Sequence, residues 1–241
     1  MHQASSKVRG IMIVHPPFDS VLFDVDGTLI DSNAAHATAW MRALREHGRR
    51  VDITQVRPLI GMGGDKLLPA IADIEEQSPE GRAIARRKKE LFEELLPRLR
   101  PTPGARALLE YLRHQGTDLV IATSADDQEM KALLAQARLD GLVDKRASKD
   151  DAAESKPDPD IVCAALAKAR SGPESTVMIG DTPYDIEAAA RAGVATIALR
   201  CGGHWSDRDL RDALYIFDDP QDLLDGWQAV GRTSPRREAA R

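Results

Sequence analysis

An α/β fold, a parallel sheet covered by helices with a helical block inserted after its first strand, is what this sequence predicts. Three observations carry the prediction. From Ala105 onward, short apolar runs alternate with helical stretches, and repeated strand–helix units assemble as a parallel sheet with helices on both faces. Far upstream, Val21-Leu22-Phe23 runs without polar relief, as a strand buried on both faces does. Between the two, from about Ala34 to Arg100, the patterning is helical.

Met1 to Pro17 is expected to be a flexible leader. Its apolar segment, Ile11 to Val14, is far too short for a signal-peptide core and at most adds an edge strand. Val21 to Phe23 then runs into Asp24-Val25-Asp26-Gly27-Thr28-Leu29. Ligands bind past the carboxyl ends of parallel strands, which is where this acidic pair falls. Two such close carboxylates repel unless their charge is offset, and a part-hydrated hard cation such as Mg2+ would offset it. A calcium loop would need Gly at position six and Glu at twelve. Counted from Asp24 those positions are Leu29 and Ala35, so that reading fails. A hairpin at Asp26-Gly27 is weak, because Asn33 to His47 is helical rather than strand-like.

Asp31-Ser32-Asn33 reads as a helix-capping cluster, and the helix it opens ends at His47-Gly48. Thr54 to Ile60 is a short helix leading into Gly61-Met62-Gly63-Gly64. No Gly-Lys-Ser/Thr follows, so this is not a Walker A loop; it is expected to be a flexible loop facing substrate. Lys66 to Ile74 and Pro79 to Leu96 are helices. The run Arg86-Arg87-Lys88-Lys89-Glu90 reads as a solvated face, since Leu91, Leu95 and Leu96 share its helix and acidic residues follow. Pro101 and Pro103 make a stiff linker. Beyond it come Ala105–His114, Leu119–Ala122, Gln128–Ala137, Val143–Ala147, Asp160–Ala169, Val177–Ile179, Ile186–Ala192 and Thr196–Leu199, helix and strand in turn. The core is thus expected over 18–33 and 101–230, the helical block over 34–100, and a disordered tail over 231–241.

Bulk properties narrow the function classes. The 241 residues are 42% hydrophobic and 29% charged, ordinary for a globular chain. A net charge of -5 gives no reason to expect a nucleic-acid surface, and leaves an anionic substrate to be held locally. No apolar run approaches ~18 residues, the length of a membrane span, and a cytoplasmic location follows by default. The two cysteines, Cys163 and Cys201, have no metal-type spacing, and a disulfide framework is not expected. Cys163 is expected to be a small core residue. Oligomeric state is not legible.

Polar groups recur where the other strands end. Leu119–Ala122 is followed by Thr123-Ser124, and Val177–Ile179 by Gly180-Asp181-Thr182-Pro183-Tyr184-Asp185; Ser155-Lys156-Pro157 lies between them. Taken singly, these are a helix cap, another cap and a surface lysine. Taken together they fall at one edge of one sheet beside Asp24 and Asp26. A carboxylate cluster with a lysine, a hydroxyl and a divalent cation is what phosphoryl chemistry employs.

These stretches, in this order, resemble the four motifs of the haloacid dehalogenase superfamily, over roughly Ser20 to Trp227. The resemblance implies a Rossmann-like core with a mobile helical cap after the first motif; the gap between Thr123 and Lys156 leaves no room for the other cap position. It implies Asp24 as nucleophile, Asp26 as general acid and base, and Thr123 and Lys156 as holders of the phosphoryl group. Mg2+ would be held by Asp24, the Asp26 backbone carbonyl and Asp181, with Asp185 in support. Gly27, Thr123, Ser124, Lys156, His36 and Gly61 would bind phosphate or the rest of a small phosphorylated metabolite. Asp26 argues against the dehalogenases, which lack the second aspartate. Asp31-Ser32-Asn33-Ala34-Ala35-His36 and Trp40 are most similar to phosphoglycolate phosphatases and β-phosphoglucomutases. Gly64 near the mutase arginine position, and Asp126-Asp127 at its Lys-Asn pair, argue against a mutase. Lys66 is not clearly in register with the Schiff-base lysine of a phosphonatase. A phosphatase acting on a phosphoglycolate-like or sugar phosphate ester is the reading that results. The alternatives are a β-phosphoglucomutase-like isomerase, a phosphonatase, or a non-catalytic binding protein on the same fold. His36 and Trp40, four residues apart on one helical face, either line the pocket entrance or pack the helices.

Overall fold

The uninterrupted apolar runs became the centre of the sheet. In the structure, a computed structural model that describes residues 17–230, β1 (Ser20–Phe23) is buried at every position. It pairs in parallel on one side with β2 (Asp118–Ala122) and on the other with β4 (Thr176–Gly180). β3 (Lys145–Ala147) extends the sheet beyond β2, and β5 (Ala195–Leu199) and β6 (Tyr215–Phe217) extend it beyond β4. The order is β3-β2-β1-β4-β5-β6, parallel throughout. Phe23 sits level with Ile121 and Ile179. Asp24, Thr123 and Asp181 therefore leave the sheet at one edge.

Four α-helices follow β1 before the Pro101–Pro103 stretch: α1 (Asn33–Glu46), α2 (Ile53–Val56), α3 (Gly64–Ala72) and α4 (Pro79–Leu95). Ser78 caps α4 by accepting from the Gly81 amide, with Pro79 at the first position, a combination that satisfies one orphan donor and removes another. α1 packs along α4. One apolar cluster runs from Val21, Phe23, Ile121 and Ile179 of the sheet to Trp40, Leu44, Leu68 and Phe92 of these helices. α5 (Ala105–His114), α6 (Asp127–Gln136), α7 (Asp160–Lys168) and α8 (Pro183–Arg191) then cover the sheet, α7 and α8 burying Ile161, Ala165 and Ala188 against Leu22 and Met178.

The structure adds two elements that the sequence reading did not name, β6 and α9 (Pro220–Val230). It also moves Cys163, expected in the core, to the exposed side of α7. Ile161, Val162 and Ala165 take the buried face of that helix, and Cys163 falls outside their arc. The leader expected over 1–17, apart from Pro17, the edge strand at Ile11–Val14 and the tail over 231–241 lie outside the described residues. No helix among the described residues is long and apolar enough to cross a membrane.

Candidate active site

Lys156 is fully buried, and its ammonium donates to Asp24 Oδ1 at 2.6 Å, Asp185 Oδ1 at 2.7 Å and the Ala122 carbonyl at 2.8 Å. All three of its donors are thus committed to protein oxygens. Burial works against its charge, but Asp185 and Asp24 outweigh burial and hold the ammonium above its usual pKa. It does not line the cleft described below. The structure gives Lys156 the place of a clamp on Asp24; to reach a phosphoryl oxygen it would have to exchange one of these bonds.

Asp181, also buried, accepts from Thr28 Oγ1 at 3.1 Å and from Asn33 Nδ2 at 2.8 Å. The Gly27 and Gly202 backbones press against it so closely that a Cβ at either would collide with the carboxylate. Gly27, at φ 76°, is in the left-handed region open to glycine. It seats Asp181 and does not line the cleft. Asp185 Oδ2 accepts from the amide and hydroxyl of Thr182, the residue that caps α8.

Carboxylate oxygens of Asp24, Asp181 and Asp185 lie within 4.8 Å of one another. Burial, then the neighbouring carboxylates, pushes Asp24 up to about 7 despite the pull of Lys156. Asp181 is raised well above the usual carboxylate range by burial and then by Asp185 and Asp24. Neutral donors, a hydroxyl and an amide, face Asp181, and Lys156 alone cannot balance three carboxylates. A hard divalent cation with oxygen ligands fits this deficit. The trio contains Asp185, expected only in support, and not the Asp26 carboxylate.

That carboxylate is held elsewhere. Asp26 Oδ1 accepts from Ser32 Oγ at 2.5 Å and meets His36 Nε2 at 2.8 Å, and the His36 ring stacks on Phe92 at 3.9 Å between centroids. Burial opposes ionisation of Asp26, but His36 and Ser32 outweigh it and hold the carboxyl below its usual range. Ser32 occupies the N-cap position of α1 without making a side-chain cap bond. The expected capping hydroxyl serves Asp26 instead. Asn33 likewise serves Asp181.

Asp24, Asp26, Thr123 and Ser124 form one wall of a cleft whose other wall is His36, Trp40, Ile60 to Gly64 and Lys88. Its free space of about 70 Å³ would hold on the order of five waters at ~10–15 Å³ each, a size suited to a phosphoryl group with a small remainder. Thr123 Oγ1 accepts from the Ala125 amide at 3.1 Å. Asp126, not Thr123 or Ser124, caps α6. Ser124 Oγ donates to the Gly61 carbonyl at 3.2 Å, tying the sheet edge to the glycine loop. Gly61, at φ 106°, packs on Thr182. His36 and Trp40 both line the cleft and are both buried, so the two readings of that pair describe one arrangement.

The solvated-face reading fails at Lys88. It is only 8% exposed and lines the cleft with Glu129, whereas Arg87 and Lys89 pair with Glu46, Glu90 and Asp126 outside it. The signal was present: Lys88 follows Ile84 by four and precedes Phe92 by four, which puts it on the buried stripe of α4. Glu129 and Asn33 carried no comparable signal. Lys66 pairs with Glu154 at 2.6 Å and Asp158 at 2.8 Å and does not line the cleft. Its pKa is raised by these bonds, opposite to what a Schiff-base lysine needs.

The family model described as haloacid dehalogenase-like hydrolase matches residues 21–199. The phosphoglycolate phosphatase of Pseudomonas putida is 30% identical, over 86% of this chain and 78% of its own. A phosphorylated carbohydrates phosphatase of Thermotoga maritima is 29% identical, over 74% of this chain and 83% of its own. The crystal structure of a hydrolase from Pseudomonas syringae, 30% identical, superposes with a TM-score of 0.82 over 87% of this chain and 98% of that one.

Proposed function

The chain belongs to the haloacid dehalogenase-like hydrolases, and from that premise we propose that it hydrolyses a small phosphate monoester through a phosphorylated Asp24. One observation carries the reading: a cleft-facing carboxylate clamped by a buried lysine, beside two further buried carboxylates. The phosphatase relatives support it. Residues 34–100 act as a cap that supplies the far wall of the cleft.

An Asp24 oxygen attacks phosphorus as the ester P–O bond breaks, and Asp26 gives a proton to the departing oxygen. Asp26 is held ionised at rest by His36 and Ser32. It takes that proton from solvent as the substrate's phosphate arrives, because a like charge nearby disfavours the carboxylate. Asp26 then takes a proton from water, whose oxygen attacks the phosphorus. The bond to Asp24 breaks and inorganic phosphate leaves. Lys156 holds Asp24 in line throughout, and Thr123 and Ser124 face the phosphoryl oxygens. Asp24, Asp181 and Asp185, with the Asp26 backbone carbonyl, are the groups that would hold Mg2+, which when bound offsets the repulsion between carboxylate and phosphate.

The test is phosphate release from a panel of small esters with Mg2+ and then with EDTA. Release that depends on Mg2+ is expected. No release from any ester would overturn the reading and turn attention to sugar-phosphate isomerisation, phosphonates and, last, a non-catalytic binding role.

A further inference from the structure

The cleft lining also contains a buried ion pair that makes no hydrogen bond to the reacting carboxylates. Lys88, on α4, donates to both oxygens of Glu129, on α6, at 2.9 and 3.2 Å. The two side chains are 10% and 11% exposed. The ammonium also lies 4.9 Å from the Phe92 ring centroid and 5.8 Å from that of Trp40. Lys88 is the only lysine or arginine on the cleft lining among the described residues, and His36 is engaged by Asp26.

The geometry points to Glu129 as a specificity residue that selects an ester whose leaving group is a neutral, hydroxyl-bearing fragment and rejects one that carries a second anion. The inference rests on the phosphatase reading of the same site. The physical argument is charge accounting in a shielded space. A carboxylate or second phosphate on the leaving group would need a free cation beyond Asp26. The one cation there already shares both oxygens of Glu129, so the incoming anion would face a carboxylate of its own sign at low dielectric. Removing Lys88 from Glu129 to serve the substrate would leave Glu129 buried and unpaired, which is costly. A polyol or sugar fragment meets no such penalty. Its hydroxyls can donate to Glu129 and accept from Lys88, and its C–H face can lie on Trp40. Rejection through a placed like charge is a common route to specificity.

The experiment compares kcat/KM for glycerol 1-phosphate and a hexose monophosphate against phosphoglycolate and a hexose bisphosphate, in the wild-type chain and in Glu129→Gln. The wild type is expected to favour the neutral-headed pair by about tenfold or more. Glu129→Gln keeps the shape, frees Lys88 to meet an anion, and is expected to cut that ratio by about tenfold. A merely structural role would lower all four substrates together and leave the ratio unmoved. Wild-type preference for phosphoglycolate or the bisphosphate overturns the inference by itself, even if Glu129→Gln fails to fold. An unchanged ratio in a folded variant overturns it too. Absence of release from every ester would instead overturn the phosphatase reading, so the two failures are distinguishable.

Discussion

The sheet edge and the helical block between β1 and β2 face each other across one cleft, and they hold their charges in opposite ways. At the sheet edge, Asp24, Lys156, Asp181 and Asp185 are almost wholly buried and each is fixed by short hydrogen bonds. The negative charge there exceeds the positive, a deficit that a cation can fill. Where the helical block meets the core through charged groups, those charges are paired, Lys66 with Glu154 and Asp158, Lys88 with Glu129, and Lys89 with Asp126. Lys149, from beyond β3, reaches the other way to Asp65 and Glu76. An unbalanced, rigid edge suits chemistry on a charged group. A balanced wall suits choosing among the fragments attached to it. Changes at the first region should remove turnover, and changes at the second should redistribute it.

The largest effect is expected for Asp24→Asn. It keeps the shape and the Ala122 and Asp185 bonds of Lys156, but removes the attacking oxygen. The expected loss in kcat is on the order of 10⁴-fold or more, with the melting temperature maintained in a thermal scan. Turnover near wild type would remove Asp24 as nucleophile.

Ser32→Ala and His36→Ala act one step away, on the pair that holds Asp26. Burial raises its carboxyl, and these two partners bring it below the usual range. Taking one partner away moves the pKa upward, and because Asp26 must carry a proton in the first step, the basic limb of the kcat/KM profile should shift to higher pH. A loss of about tenfold in kcat should accompany it. A profile superimposable on wild type would mean that neither side chain governs Asp26.

Lys66→Ala should do least. Its pairs are part-exposed, worth ~0–1 kcal/mol, and its ammonium pairs only with Glu154 and Asp158, outside the cleft lining. The expected kcat lies within about twofold of wild type. Abolished turnover would break the contrast between the two regions and restore Schiff-base chemistry as a candidate.

How far the two regions were legible follows from the same contrast. The sheet edge was readable because burial on both faces forces continuous apolar runs, and because the parallel register brings their ends together. Asp24, Asp26, Thr123 and Asp181 could be placed from that alone, whereas Lys156, in the loop between β3 and α7, needed the resemblance as well. β6 was not readable, since its three half-buried residues give neither a run nor an alternation. α9 did carry a signal in Leu223, Trp227 and Val230, an i, i+4, i+7 stripe behind Pro220. At the entry to the helical block and within it, local patterns misled. Ser32 looked like a cap and Lys88 like a solvated charge, because a cap motif and a basic run are read from neighbours in sequence. Their actual partners, Asp26 and Glu129, lie 6 and 41 positions away. Tertiary partners of polar side chains leave no periodic trace.

The most direct test of the central claim, that Asp24 takes the phosphoryl group, is to trap it there. The wild-type chain, turning over a phosphate ester with Mg2+, is quenched in acid and digested, and its peptides are weighed by mass spectrometry. A phosphoryl adduct on the peptide that contains Asp24, absent from Asp24→Asn, is the predicted result. Full turnover by the wild type with the phosphoryl adduct on another residue would contradict it.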